Sequence, residues 1–315
     1  MENQIKVAFI GAGYMAEEHI KAFSDITTVA LLGIHSRNSL RAESLAKKYG
    51  IPKVYESIDA LYNGTLADLV IIAVPELSTN KVCKDAFSYP WRALIEKPVG
   101  YNLADAEDIA AAAHASSCKA YVALNRRHYS STRAVLRELS DIHGHRLVQV
   151  FDQENPIAAL EGGQPRLVVD NWMYANSIHL VDYLSVFCRG DVTSIDHVIR
   201  WDSTKPGFVL TKFEYSSGDI GLYHAIWNGP GPWIVNVTTQ AKRWEMRPLE
   251  QASSQLPNSR KSNSLPVHEW DIKFKPGLRL QAQEACKALR GEENTLATLA
   301  VGIETMKLVS LIYEA

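Results

Sequence analysis

The sequence has few cysteines, and they are not spaced as a framework. Four are scattered along the 315 residues without a CxxC pair: Cys83, Cys118, Cys188 and Cys286. That spacing argues against a zinc knuckle and against a disulfide scaffold. We therefore expect no bound metal, and reduced, buried thiols of the kind found in cytosolic proteins.

The sequence also lacks an excess of charge of one sign and any long apolar run. Lysine and arginine total 33 against 35 aspartates and glutamates, a net charge of −2. This balance gives no electrostatic reason to expect nucleic acid or an anionic membrane as partner. No apolar run approaches the ~18 residues of a membrane span, and Met1 leads into a predicted strand without a leader-type stretch. We expect a cytoplasmic protein that meets its ligands in solution.

What is present is a change of pattern along the chain. At 315 residues, two domains are expected. Residues 1–123 alternate apolar runs with helical patterns, which predicts an α/β domain with a parallel, doubly wound sheet. In residues 124–315 the apolar runs follow one another with few helices, and the polar stretch 251–266 is predicted to be a surface loop. The second domain is therefore predicted to be α+β, with a largely antiparallel open sheet.

A glycine turn at residues 11–16, with the sequence GAGYMA, lies between the first predicted strand and the first helix. Its first glycine permits a tight turn, its second lets backbone amides approach a pyrophosphate, and its alanine lets the helix pack on the strand. The α/β domain is thus predicted to be a Rossmann domain that binds NAD or NADP. The residues predicted to contact the cofactor here are Gly11, Gly13, Tyr14 and Met15.

The end of the second strand bears on which dinucleotide is preferred. An acidic residue there would bond the ribose 2′-hydroxyl of NAD, but residues 34–38 contain no carboxylate. Ser36 and Arg37, with Arg41 one helical turn later, are instead suited to a 2′-phosphate, so NADP is favoured over NAD. The alternative is that Arg37 stacks on the adenine, which would suit either cofactor.

Further motifs make the pattern specific. They are Ala73-Val74-Pro75, Glu96-Lys97-Pro98, Asn125-Arg126-Arg127 and His179-x-x-Asp182. With the glycine turn, they make the sequence resemble the glucose-fructose oxidoreductase/inositol dehydrogenase (Gfo/Idh/MocA) family over nearly the whole chain. The resemblance implies a Rossmann domain followed by an α+β domain whose open sheet carries the substrate site and usually a subunit interface.

The resemblance also implies roles for individual residues. Val74 and Pro75 would line the cofactor crevice, and Lys97, next to Glu96, would contact both nicotinamide and substrate. The histidine of the helix, His179, would touch the reacting hydroxyl group.

Residue chemistry supports these two catalytic candidates. Oxidising a hydroxyl requires a hydride acceptor and removal of the hydroxyl proton. Beside a positively charged nicotinamide the charged form of Lys97 is disfavoured, so it can donate a hydrogen bond or relay a proton. Histidine suits general acid/base work near neutral pH, as proposed for His179. The alternatives are a surface lysine held by Glu96 and a core histidine on an amphipathic helix.

The sequence departs from the family pattern before this histidine. Many members carry an aspartate four residues earlier that orients the imidazole, and here that position is Ala175. The orienting role is then open to Tyr174, Asn176 or Asp170. Asp182 shares the helix face but is commonly structural in the family. A further departure is Thr79, which stands where the family often has a histidine.

Two arginines past the domain junction add cationic charge. Arg126 and Arg127 are suited to neutralising a carboxylate or the diphosphate of a nucleotide sugar. The alternative is that both pair with acidic side chains of the protein.

Together these observations predict an NAD(P)-dependent oxidoreductase acting on a small molecule: a sugar, a polyol or a sugar nucleotide. We expect a homo-oligomer, dimer or tetramer, that associates through the C-terminal sheet. The first alternative is a non-catalytic NAD(P)-binding regulatory protein on the same scaffold. The second is a lyase or glycosidase that uses bound cofactor transiently.

Overall fold

The computed structural model describes residues 4–313. Its strands, in chain order, are β1 (Ile5–Ile10), β2 (Val29–His35), β3 (Val54–Tyr55), β4 (Leu69–Ile72), β5 (Arg92–Ile95), β6 (Ala120–Val122), β7 (Leu147–Glu154), β8 (Val192–Ile199), β9 (Phe208–Tyr215), β10 (Ile220–Trp227), β11 (Ile234–Thr238), β12 (Arg243–Met246), β13 (Ala252–Gln255), β14 (Asn263–Ser264) and β15 (Ala297–Thr298).

The helices are α1 (Tyr14–Ser24), α2 (Ser39–Tyr49), α3 (Ile58–Thr65), α4 (Glu76–Ala86), α5 (Leu103–Ala115), α6 (Ser130–Leu139), α7 (Pro156–Glu161), α8 (Arg166–Asp170), α9 (Ile178–Phe187), α10 (Glu269–Lys273), α11 (Leu278–Arg290) and α12 (Leu299–Tyr313). A short 3-10 turn covers Asn125–His128, and a π-helical turn covers Met173–Ser177.

The chain divides into two compact units. The first runs to Asn125 and includes Lys273–Glu304, while the second comprises Arg126–Ile272 and the chain from Thr305 on. The first change of unit lies close to the predicted boundary after residue 123, but residues 273–304 had been predicted to belong to the second domain. They belong to the first because α11 buries its apolar face in the core that also holds α1. An amphipathic pattern does not say which domain a helix packs on.

The first unit has the predicted doubly wound architecture. Its sheet has the order β15-β6-β5-β4-β1-β2-β3, and the strands are parallel except for β15, which pairs antiparallel with β6. All four residues of β4 are buried, as in strands that are covered on both faces. Because β1 and β4 are neighbours, the strand order reverses between them, and such a switch point leaves a crevice at the carboxyl ends of the strands.

The second unit has the predicted open, largely antiparallel sheet. Its order is β14-β13-β12-β11-β7-β10-β9-β8, and only the β7–β10 pair is parallel. Inner-face residues alternate with half-buried ones along β7 and β10, and α9 packs on these two strands. The prediction that 251–266 is a loop was wrong, since β13 and β14 extend the sheet there. These two strands are short and polar, so their sequence shows no alternation of large apolar and polar residues.

The four cysteines are free thiols, as predicted. Three are buried and Cys118 is partly so, and burial raises the pKa of the Cys118 thiol to about 11. No helix within residues 4–313 is both long and apolar enough to span a bilayer.

A buried aspartate connects three segments of the second unit. Asp219, which is fully buried, accepts hydrogen bonds from the backbone amides of Arg146 (2.8 Å) and Arg189 (3.0 Å). It also accepts two from the Arg189 guanidinium, at 2.9 and 2.7 Å. Burial by itself would raise the pKa of Asp219, but these hydrogen bonds outweigh it, and the pKa is lowered.

Asp219→Asn is expected to lower the free energy of unfolding by about 3 kcal/mol at neutral pH, because one partner of a buried charge pair is lost. The lowered folded-state pKa means that this stabilisation is complete above the unfolded-state pKa of about 4 and is lost as pH falls through the folded value. The difference between wild type and variant should therefore shrink in acid. Urea unfolding across pH measures it.

The matched control is Asp191→Asn, an exposed aspartate of the same unit, with an expected change below about 0.5 kcal/mol. Equal stabilities of the two variants would contradict the structural role of Asp219.

Candidate functional site

The glycine turn is shaped by close backbone packing. Gly11 has φ +116°, and a Cβ at this position would lie 2.0 Å from the carbonyl oxygen of Ala73. Its amide donates to the carbonyl of His35 at 2.8 Å. Only glycine fits such a conformation and such an approach. The turn after β1 is therefore packed against the segment that follows β4.

The first turn of α1 is open. Its N-cap is Gly13, and no side chain of the described residues caps it. A Cβ on Gly13 would meet no atom of residues 4–313 within 4 Å, and Tyr14 is 65% exposed. Backbone amides at an uncapped helix N-terminus, together with the helix dipole, suit a phosphate group. The residues present therefore fit the pyrophosphate of a dinucleotide.

Two exposed arginines follow β2: Arg37 lies in the loop and Arg41 in the first turn of α2. The Ser36 hydroxyl accepts a hydrogen bond from the Asn38 amide at 3.2 Å, and the Asn38 side chain caps α2 by accepting from the Arg41 amide at 3.0 Å. The loop is thus ordered by local hydrogen bonds, and both guanidinium groups are solvent-exposed beside the strand end.

The loop after β4 begins at the switch point. The Ala73 amide donates to the carbonyl of Ile10 at 2.9 Å, which aligns this loop with the end of β1. Val74 is half-buried and Pro75, the N-cap of α4, is exposed. Thr79, one of the departures noted in the sequence, is buried and donates its hydroxyl to the Pro75 carbonyl at 3.4 Å.

The motif after β5 fixes the backbone of Lys97. Glu96 is buried, and its Oε1 lies 2.7 Å from Nε2 of His19 in α1. Its Oε2 accepts from the Lys97 amide at 3.1 Å, and the Lys97–Pro98 peptide is cis. The carboxylate of Glu96 is therefore held by His19, and it orders the main chain at Lys97, whose side chain is half-buried.

The two arginines of the second unit have different surroundings. Arg127 makes a two-pronged ion pair with Asp182, with Nε–Oδ2 at 2.8 Å and Nη2–Oδ1 at 2.6 Å, and Thr305 donates to the same carboxylate at 2.9 Å. These contacts favour the structural alternative for both Arg127 and Asp182. Arg126 lies instead 4.6 Å from the ring centre of Trp233, and its buried Nη1 has no hydrogen-bond partner within residues 4–313.

His179 is the second residue of α9 and is buried, at 9% exposure. The π-helical turn Met173–Ser177 leads directly into α9. Tyr174 and Ala175 in this turn are also buried. Asp170, one of the candidates for orienting the imidazole, is paired with Arg166 at 2.7 Å on the surface.

Sequence reasoning missed two buried carboxyl groups, Asp152 and Glu154, at the end of β7. They are 3% and 1% exposed. Burial raises the pKa of each, and the neighbouring Asp152 raises that of Glu154 further. A signal existed, because both residues continue the inward-facing alternation of Val148 and Val150.

An open depression of about 440 Å³ lies beside these groups in the second unit. Its lining contains two indoles and four carboxamides and no charged side chain. The lining residues are Gln153, Asn155, Ala158, Ala159, Gly162, Gln164, Trp172, Asn176 and Trp233. Aromatic faces combined with uncharged hydrogen-bonding groups are suited to a ligand with apolar and hydroxylated faces.

Comparison with known proteins agrees with this geometry. Residues 5–124 match the model of the GFO_IDH_MocA oxidoreductase family, which has an NAD-binding Rossmann fold. D-apiose dehydrogenase of Paraburkholderia graminis is 26% identical over 196 residues, which is 61% of this chain and 52% of that protein. Glucose-6-phosphate 3-dehydrogenase of Bacillus subtilis is 30% identical over 125 residues, 40% of this chain and 35% of that protein. The chain thus spans about half or less of these relatives.

Among solved structures, UDP-N-acetylglucosamine 3-dehydrogenase of Acidithiobacillus ferrooxidans superimposes with a TM-score of 0.77 at 15% identity, covering 99% of this chain and 97% of that one. At this identity the likeness concerns the fold, and it extends over both units. The family match adds that residues 5–124 have the pattern of an NAD-binding Rossmann fold. Over these residues the chain is similar to the Gfo/Idh/MocA family of oxidoreductases.

Proposed function

We propose that the protein is an NAD(P)-dependent dehydrogenase or reductase that acts on the CH–OH or keto group of a sugar, polyol or sugar nucleotide. The observation that carries the proposal is the buried His19–Glu96 pair, which fixes the main chain of Lys97 after β5. A scaffold that only bound a dinucleotide would have no need of an ordered lysine there. The sugar dehydrogenases among the sequence relatives support the same substrate class, as does the uncharged, indole-lined depression.

In this proposal the nicotinamide cofactor, when bound, supplies the hydride acceptor or donor. Gly11, Gly13, Tyr14 and Met15 hold its pyrophosphate on the first turn of α1. Val74, Pro75 and Glu96 line the crevice at the carboxyl ends of β4 and β5.

Two side chains of the protein act on the substrate. Lys97 donates a hydrogen bond to the reacting oxygen, and His179 takes or returns the hydroxyl proton. Arg126, whose buried Nη1 lacks a partner within residues 4–313, is available to an anionic or carbonyl group of the substrate.

Lys97→Ala is expected to lower turnover about 100-fold or more, the usual cost of losing a group that transfers or polarises a proton in the transition state. Cofactor affinity should change by less than about threefold, because the pyrophosphate is bound by backbone amides. The assay follows absorbance at 340 nm with NAD or NADP and a panel of aldoses, ketoses, polyols, hexose phosphates and nucleotide sugars.

The control for this variant is Lys81→Ala, an exposed lysine on α4, which should retain wild-type turnover. Full activity of Lys97→Ala would contradict the assigned role. A wild-type protein that binds the cofactor but turns over no member of the panel would favour the regulatory alternative.

We also propose that NADP is preferred, through Ser36, Arg37 and Arg41. Arg37→Ala is expected to weaken NADPH binding about tenfold or more, the worth of a hydrogen-bonded charge pair with a phosphate. Binding of NADH, which lacks the 2′-phosphate, should change less than about threefold. Titration calorimetry on the full chain measures both, with Lys47→Ala on α2 as control. Equal losses for the two cofactors would leave Arg37 as an adenine contact.

We propose further that two or more copies associate through the outer face of the second sheet. Leu222, His224 and Ile226 share this face of β10 and are half-buried. The His224 ring lies 3.7 Å from that of Phe151, and Phe208 is 64% exposed. Large apolar side chains on one open sheet face are typical of a surface that pairs with another copy.

Leu222→Glu should therefore convert the protein to single chains in sedimentation at micromolar concentration, because a carboxylate would have to be buried in the contact. Ser185→Glu, at an exposed site on α9, should leave the association unchanged. If Leu222→Glu sediments like the wild type, the sheet face is not the contact.

A further inference from the structure

Glu154 is the centre of a buried hydrogen-bonded cluster in the second unit. Its Oε2 accepts from the indole Nε1 of Trp172 at 2.7 Å and from Nδ2 of Asn176 at 2.8 Å. Its Oε1 accepts from the hydroxyl of Ser177 at 3.1 Å. Three donors from one stretch of six residues thus converge on a single carboxyl group that is 1% exposed.

The three donors belong to the segment that presents His179. The π-helical turn lies within this segment, and α9 starts one residue before His179. No side chain caps either the π turn or α9 within the described residues. A π turn is wider than an α turn and is seldom stable by itself. Its rotation, and with it the direction of the imidazole, is therefore set by what its side chains bind.

A second buried carboxyl group lies on the same strand as Glu154. Asp152 lies on the same face of β7 and accepts from the hydroxyl of Tyr223 at 2.6 Å. That hydroxyl lies 2.7 Å from the hydroxyl of Tyr313. Two neighbouring buried carboxyl groups favour sharing one proton over carrying two charges. A protonated Glu154 still accepts hydrogen bonds on its remaining lone pairs, more weakly than a carboxylate would, at a smaller cost of burial.

We propose that Glu154 is a positioning residue for His179: it holds Trp172, Asn176 and Ser177, and thereby sets the turn from which the imidazole projects. The proposal rests on the proposed function for the role of His179. Because Glu154 sets this turn, the chain does not need a carboxylate at position 175 to orient the imidazole. Trp172 and Asn176 also line the depression. By binding both side chains, Glu154 also fixes part of the wall of that pocket.

The first test compares Glu154→Ala with Glu154→Gln. Loss of the acceptor should lower kcat about 10- to 100-fold, because a small misplacement of a reacting group is that costly. The amide oxygen of glutamine can accept from Trp172 and Asn176, so Glu154→Gln should recover at least about tenfold over the alanine variant.

The matched control is Glu138→Ala. Glu138 also accepts from an indole, that of Trp244 at 2.6 Å, and from Lys242 at 2.6 Å, in the same unit. Its loss should reduce thermal stability and leave kcat within about twofold of wild type, since surrounding packing and not the His179 turn is affected.

The decisive measurement is the effect of Ala175→Asp on kcat, which should be a decrease in the wild-type background and an increase in the Glu154→Ala background. In the wild-type background this substitution puts a carboxyl group at a buried position of a turn that Glu154 already holds, and kcat should fall. In the Glu154→Ala background, the new carboxylate at i−4 can accept from His179, so kcat should rise at least about threefold. A purely structural role for Glu154 would make Ala175→Asp harmful in both backgrounds, and that result would overturn the proposal.

A second arm needs no substrate. Hydrogen exchange of the backbone amides of residues 172–179 in the full chain should accelerate at least about tenfold in Glu154→Ala, and should not in Glu154→Gln or Glu138→Ala. Unchanged exchange in Glu154→Ala would overturn the proposal even if turnover fell. If no substrate is turned over by the wild type, the proposed function fails, while the exchange result still decides whether Glu154 holds the turn. Should Glu154→Ala not fold, Asn176→Ala replaces it in the single-variant measurements of kcat and of hydrogen exchange, with the same expected directions.

Discussion

The approach of Gly11 to the carbonyl of Ala73 is the contact on which the first unit's site depends. At 2.0 Å from a Cβ position to that oxygen, the packing leaves no room for any side chain. It brings the turn after β1 and the loop after β4 together where the strand order reverses. The same tight turn starts α1 without a capping side chain, so the amides of its first turn remain available to a phosphate. Architecture and binding capacity in this unit are thus two results of one backbone constraint.

The catalytic candidates are ordered by buried carboxyl groups in both units. In the first, Glu96 is held by His19 and in turn accepts from the Lys97 amide. In the second, Glu154 accepts from three donors that precede His179. In each case a buried acidic group fixes a short irregular segment that contains or directly precedes the residue proposed to act. A carboxyl group suits this task because it can accept several hydrogen bonds at once.

The sequence predicted the parts of the fold that are governed by periodicity. The alternation of apolar runs with helical patterns in residues 1–123 correctly indicated a doubly wound parallel sheet, and the apolar run of β4 is covered on both faces as expected. Residues 273–304 were predicted to belong to the second domain, because an amphipathic pattern does not show which domain's core the apolar face of a helix packs against. The strands β13 and β14, at one end of the sheet, were missed because they are short and polar and so show no alternation of large apolar residues.

The site was predictable where a motif fixes a backbone, and less so where side chains from distant segments meet. Charge alone could not separate Arg126 from Arg127, since only the contacts with Trp233 and Asp182 distinguish them. The absence of a carboxylate at Ala175 was visible in the sequence. The role of Glu154 was not visible in the sequence. Glu154 lies on another element, β7, and contacts the turn only in the folded protein.

The proposed hydride transfer is tested most directly by following the hydrogen that leaves the nicotinamide C4. The protein would be incubated with NADPH that carries deuterium at both C4 positions of the nicotinamide and with a panel of keto-sugars and keto-sugar nucleotides, and the products analysed by mass spectrometry. The account predicts one deuterium on the new carbinol carbon of at least one product, in amounts matching the NADPH consumed. Deuterated cofactor that binds tightly and is recovered intact, with no labelled product across the panel, would contradict it.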